Sequence, residues 1–231
     1  MKRYTHVFFD LDHTIWDYER NSVATLTDLY DRYKLNEQTD QTLQSFIKTF
    51  SIVNDELWHG FHLGTISKDE IRERRFHQVF NQMGMNNVEF IPEFSNAYIK
   101  ECPTKGFVIP GAIELLDYLK GKYQLHIITN GFEDIQHIKM STTGMDKYFD
   151  EIIISGLVGY RKPQRQIFNI ALERTGGRRK SSIMIGDNLN SDVIGARNAE
   201  IDQVYFNPNA LEHQERITYE IRELIELKGI L

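Results

Sequence analysis

This 231-residue sequence has a single cysteine, no long apolar run and no excess of positive charge. The single cysteine, Cys102, excludes an intramolecular disulfide and is typical of a reducing compartment, so we expect a cytoplasmic protein. No window of about 18 apolar residues is present, and the N-terminal residues lack the apolar segment of a signal peptide, which predicts no membrane span. The formal net charge of -6, without an extended run of lysine and arginine, indicates neither a nucleic acid polymer nor a membrane as partner.

The most informative stretch is a short apolar segment that ends in two carboxylates. Val7, Phe8 and Phe9 form an uninterrupted apolar run, which predicts a strand buried on both faces in a parallel sheet. Asp10 and Asp12 follow, and residues two apart in an extended segment point the same way, so both can face one site. Two close carboxylates stay ionised together only beside a cation, and oxygen ligands favour Mg2+. The simpler alternative is a strand followed by an aspartate-rich turn.

The periodicity then changes twice along the chain. Residues from about 17 to about 100 carry apolar residues at helical spacing, and Ser67 with Glu70 forms a capping-box pattern at the start of one of four predicted helices. From about residue 104, strands and helices alternate, which predicts an α/β fold with a parallel sheet and helices on both faces. We therefore predict a core of residues 1–16 and 104–231, with an inserted four-helix bundle of residues 17–103.

The core pattern predicts four further strands, each preceded by a helix. In chain order these elements are 111–120, 124–129, 133–143, 151–155, 164–175, 182–186, 191–199 and 203–206. A polar helix is predicted to close the chain, with Ile217, Ile221, Leu224 and Ile225 as its apolar stripe.

Polar residues follow the predicted strand 124–129 and precede the predicted helix 164–175. Thr129, Asn130 and Gly131 combine a hydroxyl, a glycine turn and a helix start, which can bind phosphate, although an ordinary helix cap is the simpler explanation. Lys162 and Pro163 lie just before helix 164–175. Lys162 is expected to project at the entrance of a site as a positive charge, or to be a plain solvated lysine.

A further pair of carboxylates lies near the strand 182–186. Asp187 follows that strand, and Asp192 opens the next helix, where it is either a helix N-cap or a support for the other carboxylates. Because the carboxyl ends of parallel strands lie at one edge of a sheet, we expect all these residues to share one site.

Together these residues resemble the four motifs of the haloacid dehalogenase-like hydrolase superfamily. Asp10-Leu11-Asp12-His13-Thr14 is similar to the first motif, Asp-x-Asp-x-Thr; the others are represented by Thr129, by Lys162 with Pro163, and by Gly186-Asp187 through Asp192. The resemblance covers the whole chain. It implies a Rossmann-like core with a helical C1-type cap, bound Mg2+, and phosphoryl transfer through an aspartyl-phosphate.

The resemblance also implies a role for each motif residue. Asp10 would be the nucleophile, and Asp12 would be the general acid and then the base that activates water. Mg2+ would be held by the Asp10 carboxylate, the Asp12 backbone carbonyl and Asp187, with Asp192 supporting these ligands. The phosphoryl oxygens would be bound by Thr129, Asn130, Gly131 and Lys162.

A finer resemblance concerns the substrate, a small phosphorylated metabolite. Residues 10–17, 131–133 and 147–150 are similar to the noncanonical pyrimidine nucleotidase branch, which implies a 5'-nucleotidase acting on nucleoside monophosphates. Trp58, Phe61 and Phe107 are candidates for stacking on a base, although core packing is the simpler role. Phosphatases of sugar phosphates or phosphoglycolate and phosphosugar mutases share the core motifs and stay open as alternatives. The sequence does not indicate an oligomeric state.

Three classes of function fit fewer of these features. A phospho-acceptor signalling module carries its acidic pair on an earlier strand than the acceptor and has no inserted cap. A phosphate-binding protein without activity is expected to lack at least one motif aspartate, and all of them are present. A zinc site of His59, His62 and His77 would lack a cysteine or another close ligand in its segment.

Overall fold

The computed structural model describes residues 4–85 and 88–231. The chain divides into two compact units, one of Met1–Tyr18 with Gly106–Leu231 and the other of Glu19–Lys105. The boundaries predicted from the sequence lay after residue 16 and before residue 104. The discontinuous unit contains the first predicted strand and all the motif residues.

This discontinuous unit is built on a six-stranded parallel sheet. Its strands are β1 His6–Phe9, β2 Gln124–Thr129, β3 Glu151–Ile154, β4 Ser182–Gly186, β5 Asp202–Phe206 and β6 Tyr219–Ile221. They are arranged in the order β3-β2-β1-β4-β5-β6, and every neighbouring pair is parallel. The strand order therefore reverses between β1 and β4. In open α/β sheets such a reversal leaves a crevice at the carboxyl ends of the strands, where ligands bind.

The second unit is helical. Its helices are α1 Tyr18–Arg32, which starts in the other unit, α2 Leu35–Gln38, α3 Leu43–Leu63, α4 Lys68–Gln82 and α5 Ile91–Glu101. The predicted capping box at the start of α4 is present, because Ser67 and Glu70 each accept the other's backbone N–H. Aromatic rings form its core, and the ring of Phe94 lies 4.9 Å from Phe76 and 5.2 Å from Phe80. Among the described residues, no helix combines the length and the apolar character needed to cross a membrane.

Helices cover both faces of the sheet. The core helices are α6 Ala112–Leu119, α7 Glu133–Thr143, α8 Ser155–Val158, α9 Arg165–Thr175 and α10 Gly195–Asn198, with a π-helical segment Leu189–Ile194 directly before α10. Phe8 and Met184 pack with Phe168 of α9 in one apolar layer. Since side chains alternate along a strand, Phe9 points to the opposite face, where its ring meets Phe149 edge-on. The predicted α/β fold class is confirmed.

The end of the chain differs from the prediction. Instead of one polar helix, residues 219–221 form β6 beside β5, and a short 3-10 helix Leu224–Gly229 follows. Ile221 and Leu224 are both buried in this arrangement. The apolar spacing fits a helix, but pairing with the edge of β5 satisfies the backbone groups of the segment. Such tertiary pairing overrides local periodicity.

The chain leaves and re-enters the sheet unit at adjacent points. Trp16 forms an antiparallel bridge with Val108, and the Ile109 N–H donates to the Ile15 carbonyl over 2.9 Å. This backbone pairing, termed here the base tie, joins the two stretches of the sheet unit that flank the inserted segment.

Candidate active site

Carboxylates from two neighbouring strand ends meet where the strand order reverses. Asp10 follows β1, Asp187 follows β4, and Asp192 lies in the π-helical segment. One carboxylate oxygen from each of the three lies within 4.8 Å of the others. Asp10 and Asp192 are buried and Asp187 is partly buried. The structure thus brings together three of the aspartates that the sequence singled out.

The position of Asp192 depends on a glycine. A Cβ atom on Gly186 would lie 2.3 Å from Asp192 Oδ2, so only glycine lets this carboxylate approach the end of β4. The Asp192 carboxylate accepts hydrogen bonds from the Asn188 N–H over 3.0 Å and from Ser191 Oγ over 3.2 Å. Asn188, not Asp192, caps the π-helical segment. Of the two roles left open for Asp192, the structure therefore favours support within the carboxylate cluster.

Lys162 lies inside this cluster. Its Nζ is 2.5 Å from Asp10 Oδ1 and 2.7 Å from Asp192 Oδ1, and the residue is only 1% exposed. The expectation that Lys162 projects at the entrance, and the alternative of a solvated lysine, are both wrong. A tertiary contact accompanies this burial: the Lys162 N–H donates to Asn130 Oδ1 over 2.9 Å, and Asn130 Nδ2 donates to the Lys162 carbonyl over 3.0 Å. The Asn130 side chain thus holds the backbone of Lys162.

Burial and crowding change the acidity of these groups. Burial, together with the neighbouring carboxylates, raises the pKa of Asp10 to about 8 despite the opposing effect of Lys162. Burial and the charge of Asp192 raise the pKa of Asp187 to about 7. Burial alone would lower the pKa of Lys162, but Asp10 and Asp192 outweigh it, so this pKa lies above its usual value. The ammonium group is therefore charged at neutral pH.

The second carboxylate of the first motif has a different environment. Asp12 Oδ1 lies 2.5 Å from Lys139 Nζ, and Asp12 Oδ2 accepts a hydrogen bond from Gln136 Nε2 over 3.0 Å. Burial alone would raise the pKa of Asp12, but Lys139 and these hydrogen bonds outweigh it and the pKa is lowered. The Asp12 side chain thus has its own cation, apart from the cluster of Asp10, Asp187 and Asp192.

The sequence did not single out Gln136 and Lys139. They lie three residues apart on one face of α7 and are almost completely buried. The available signal was this pair of long polar side chains at helical spacing directly after the Thr129 motif. A Cβ on Gly131 would lie 1.9 Å from Gln136 Nε2, so the glycine turn makes room for Gln136 beside Thr129.

The donor set fits a hard divalent cation. Carboxylate oxygens are the ligands that Mg2+ prefers in proteins. Lys162 contacts Asp10 and Asp192, Lys139 contacts Asp12, and Asp187 lies within the same carboxylate cluster. Four carboxylates and two ammonium groups leave two unbalanced negative charges when all are ionised. One divalent cation would balance them, and the side chains of Asp10 and Asp187, with Asp192 beside them, would hold it.

The other candidates from the sequence lie outside this cluster. Trp58 and Phe61 of α3 are partly buried and contact each other, with ring centroids 5.5 Å apart. Phe107 is partly buried in the sheet unit. Base stacking by these rings stays a prediction. In the part of the chain that the structure describes, the three histidines considered for zinc do not form a metal-binding group.

Comparisons with known proteins agree with this geometry. The family model described as haloacid dehalogenase-like hydrolase matches residues 7–206. The chain is 31% identical over 228 residues to pyrimidine 5'-nucleotidase YjjG of Escherichia coli, covering 97% of this chain and 96% of that one. It is 31% identical over 233 residues to pyrimidine 5'-nucleotidase PynA of Streptococcus pneumoniae, covering 99% and 95%.

A solved structure shows the same architecture. The HAD-hydrolase YfnB of Bacillus subtilis, bound to magnesium, matches with a TM-score of 0.87 and 27% identity over 99% of both chains. The resemblance to pyrimidine nucleotidases that the sequence indicated is confirmed by the two curated relatives. The chain therefore belongs to the haloacid dehalogenase-like hydrolase family.

Proposed function

We propose that the protein is a Mg2+-dependent phosphomonoester hydrolase that acts through an aspartyl-phosphate, with nucleoside 5'-monophosphates as substrates. The observation that carries this proposal is the setting of Asp10. Its carboxylate lies at the end of the central strand, 2.5 Å from a buried ammonium group and within a cluster suited to a divalent cation. Phosphoryl transfer depends mainly on such positioning and charge neutralisation.

The first half of the reaction is assigned to Asp10 and Asp12. An Asp10 carboxylate oxygen attacks phosphorus, the bond from phosphorus to the ester oxygen breaks, and a proton from Asp12 goes to the departing oxygen. Lys162 balances charge beside Asp10, and Thr129 donates to a phosphoryl oxygen. Bound Mg2+ would supply the positive charge that keeps Asp10 ionised and balances the phosphoryl group.

The second half restores the enzyme. Asp12, now deprotonated, takes a proton from water, and the water oxygen attacks phosphorus. The bond from phosphorus to Asp10 breaks, which releases phosphate and the free carboxylate. The lowered pKa of Asp12 favours the carboxylate that this second step needs as its base, whereas the first step requires Asp12 to carry a proton.

The substrate class is supported by relatives rather than by a base-binding residue. Two proteins named pyrimidine 5'-nucleotidase align with nearly the whole chain, the inserted helical segment included. The magnesium bound in the matching solved structure supports the choice of cation.

A phosphatase screen with Mg2+ tests the proposal. Release of inorganic phosphate is measured for pyrimidine and purine nucleoside monophosphates, hexose phosphates and phosphoglycolate, each with and without a chelator. We expect pyrimidine nucleotides to react fastest and the chelator to abolish turnover until Mg2+ is restored. Asp10→Asn, purified in the same way, controls for contaminating phosphatases.

Each contrary result points to a different error. Hexose phosphates or phosphoglycolate preferred by about tenfold would contradict the nucleotidase assignment and leave the phosphatase assignment standing. Full turnover in metal-free protein would contradict the Mg2+ requirement. Phosphate transferred within a sugar phosphate, with none released, would identify a mutase.

A further inference from the structure

Gln136 and Lys139 of α7 each contact one carboxylate oxygen of Asp12. This pair of residues is termed here the α7 clamp. Lys139 Nζ lies 2.5 Å from Asp12 Oδ1, and Gln136 Nε2 donates to Asp12 Oδ2 over 3.0 Å. Lys139 Nζ also lies 4.4 Å from the ring centroid of Trp16, which is fully buried. The ammonium group is therefore fixed between a carboxylate and an aromatic face.

The same amide of Gln136 also contacts Thr129. The Thr129 hydroxyl oxygen accepts hydrogen bonds from Gln136 Nε2 over 2.7 Å and from the Gly131 N–H over 3.0 Å. A hydroxyl has two acceptor lone pairs and one hydrogen to donate. Because both lone pairs are occupied, the remaining capacity of Thr129 is its O–H, which must be donated elsewhere. A phosphoryl oxygen accepts only, so a hydroxyl fixed as a donor suits it.

We propose that the α7 clamp is a pair of positioning residues: Gln136 fixes Thr129 as a donor to the phosphoryl group, and Gln136 and Lys139 together aim the Asp12 carboxylate. This inference rests on the proposed function. Neither residue needs to touch the substrate, because each acts through a residue that does. Each oxygen of Asp12 keeps lone-pair capacity beside its clamp contact, so the carboxylate can still exchange a proton with the leaving oxygen and with water.

The two clamp residues differ in what they should control. Gln136 contacts both Thr129 and Asp12, so its loss should weaken phosphate binding as well as proton transfer. Lys139 contacts Asp12 but has no described contact with Thr129, so its loss should leave phosphate binding intact. A merely structural role would instead lower the amount of folded enzyme and would not separate these two effects.

The phosphate-binding effect is measured as product inhibition by inorganic phosphate. Gln136→Leu should weaken this inhibition by about tenfold, because it frees the Thr129 hydroxyl to turn away. Lys139→Met should leave it within about twofold of the wild-type protein. In a Thr129→Val background, Gln136→Leu should have no further effect on inhibition. An effect of equal size in both backgrounds would overturn the assignment of Gln136.

The proton-transfer effect is measured with two kinds of ester. Lys139→Met should slow hydrolysis of a nucleoside monophosphate by about 10²-fold, the scale of general acid-base catalysis. It should slow the formation of nitrophenolate from nitrophenyl phosphate much less. Hydrolysis of the aspartyl-phosphate should then limit turnover, seen as a burst of nitrophenolate near one equivalent. Lys139→Arg, which keeps the charge, should recover part of the loss on the nucleotide. His137→Gln, exposed on the same helix, should behave as wild type.

Folding is compared by circular dichroism and thermal unfolding. If Lys139→Met does not fold, Lys139→Arg tests the role of Lys139 instead. Its larger guanidinium group should shift the Asp12 carboxylate and give a burst of nitrophenolate smaller than the one expected for Lys139→Met. Equal slowing of both esters without a burst would overturn the role of Lys139. A wild-type protein that hydrolyses no phosphate ester with Mg2+ would refute the proposed function itself, and that result precedes any clamp variant.

Discussion

Thr14 and Asp187 exchange two hydrogen bonds across the reversal between β1 and β4. Thr14 Oγ1 donates to Asp187 Oδ1 over 2.9 Å and accepts from the Asp187 N–H over 3.0 Å. Thr14 is fully buried. One hydroxyl thus fixes both the carboxylate and the backbone of a proposed metal ligand, which gives the threonine of the first motif a defined physical role.

Thr14→Val should weaken Mg2+ binding by about tenfold or more, because contacts behind a metal ligand set its orientation. Thr14→Ser keeps the hydroxyl and should bind Mg2+ nearly as well as the wild-type protein. Isothermal titration of Mg2+ into each metal-free protein measures the affinity directly. Unchanged affinity in Thr14→Val would show that Asp187 is held by other contacts.

The two acids of the first motif should fail differently when replaced. Asp10→Asn removes the nucleophile and should abolish turnover of every ester. Asp12→Asn should hydrolyse alkyl esters about 10²–10⁴-fold more slowly. It should keep much of the rate of the first step with nitrophenyl phosphate, whose leaving group needs little protonation. Rapid-mixing kinetics should show a burst of nitrophenolate in Asp12→Asn and none in Asp10→Asn.

Folding and Mg2+ binding of both variants need to match the wild-type protein for this comparison. Substantial turnover by Asp10→Asn would contradict its role as nucleophile. Equal losses on alkyl and aryl esters in Asp12→Asn, without a trapped phosphoenzyme, would contradict its role in proton transfer.

Gly186→Ala should disturb the carboxylate cluster without changing its charge. The added Cβ would lie 2.3 Å from Asp192 Oδ2, so the carboxylate or the strand end must move. We expect a loss of about 2 kcal/mol in the free energy of unfolding, as for other overpacked sites, and weaker Mg2+ binding. Gly106→Ala is the matched control, because its added Cβ would have no atom within 4 Å other than those of residue 106 and its two chain neighbours. Denaturant unfolding of the two variants measures the contrast, and equal losses would contradict the steric argument.

A buried histidine should make stability depend on pH. His126 is 2% exposed, its Nε2 lies 3.2 Å from His6 Nδ1, and its own Nδ1 has no hydrogen-bond partner among the described residues. Burial, and then the nearby His6, lower the pKa of His126 from 6.5 to about 4. Between these values the unfolded chain binds a proton that the folded protein does not, so stability falls as pH falls from 6.5 toward 4.

The measurement compares the wild-type protein with His126→Phe at each pH. Relative to this variant, the wild-type free energy of unfolding should decrease by about 2 kcal/mol from pH 7 to pH 4.5. The difference between the two proteins is used because Asp10 and Asp187 also make stability depend on pH. Their raised pKa values make the free energy of unfolding rise as pH falls, and both proteins share this contribution. Parallel pH profiles would show that His126 does not carry this effect.

Much of the site could be predicted from sequence because its residues follow apolar strands. Parallel strands place their carboxyl ends at one edge, so Asp10 and Asp187 were expected at the same edge of the sheet. That their strands are neighbours is shown only by the structure. Lys162 could be named but not placed, since its depth depends on the contact between its backbone and the Asn130 side chain. Gln136 and Lys139 escaped notice because a polar residue on a helix is usually solvated, and only the tertiary structure shows their face to be buried.

The fold shows the same division between local and tertiary information. The capping box of Ser67 and Glu70 is a local signal, and the structure contains it. β6 is a tertiary feature, because residues 219–221 become a strand only beside the edge of β5. The spacing of apolar residues in this segment fits a helix equally well, and the neighbouring residues do not indicate which strand the segment will pair with.

The base tie has a consequence for how such proteins can vary. Because Trp16 and Val108 are already paired, the sheet unit closes its own boundary before the helical segment begins. Connecting residue 18 to residue 106 by a few flexible residues would therefore resemble capping a hairpin, with a small entropic cost of closure. The helical segment is in this sense an exchangeable module. Lineages could lengthen, shrink or replace it while the chemistry at the strand ends stays the same.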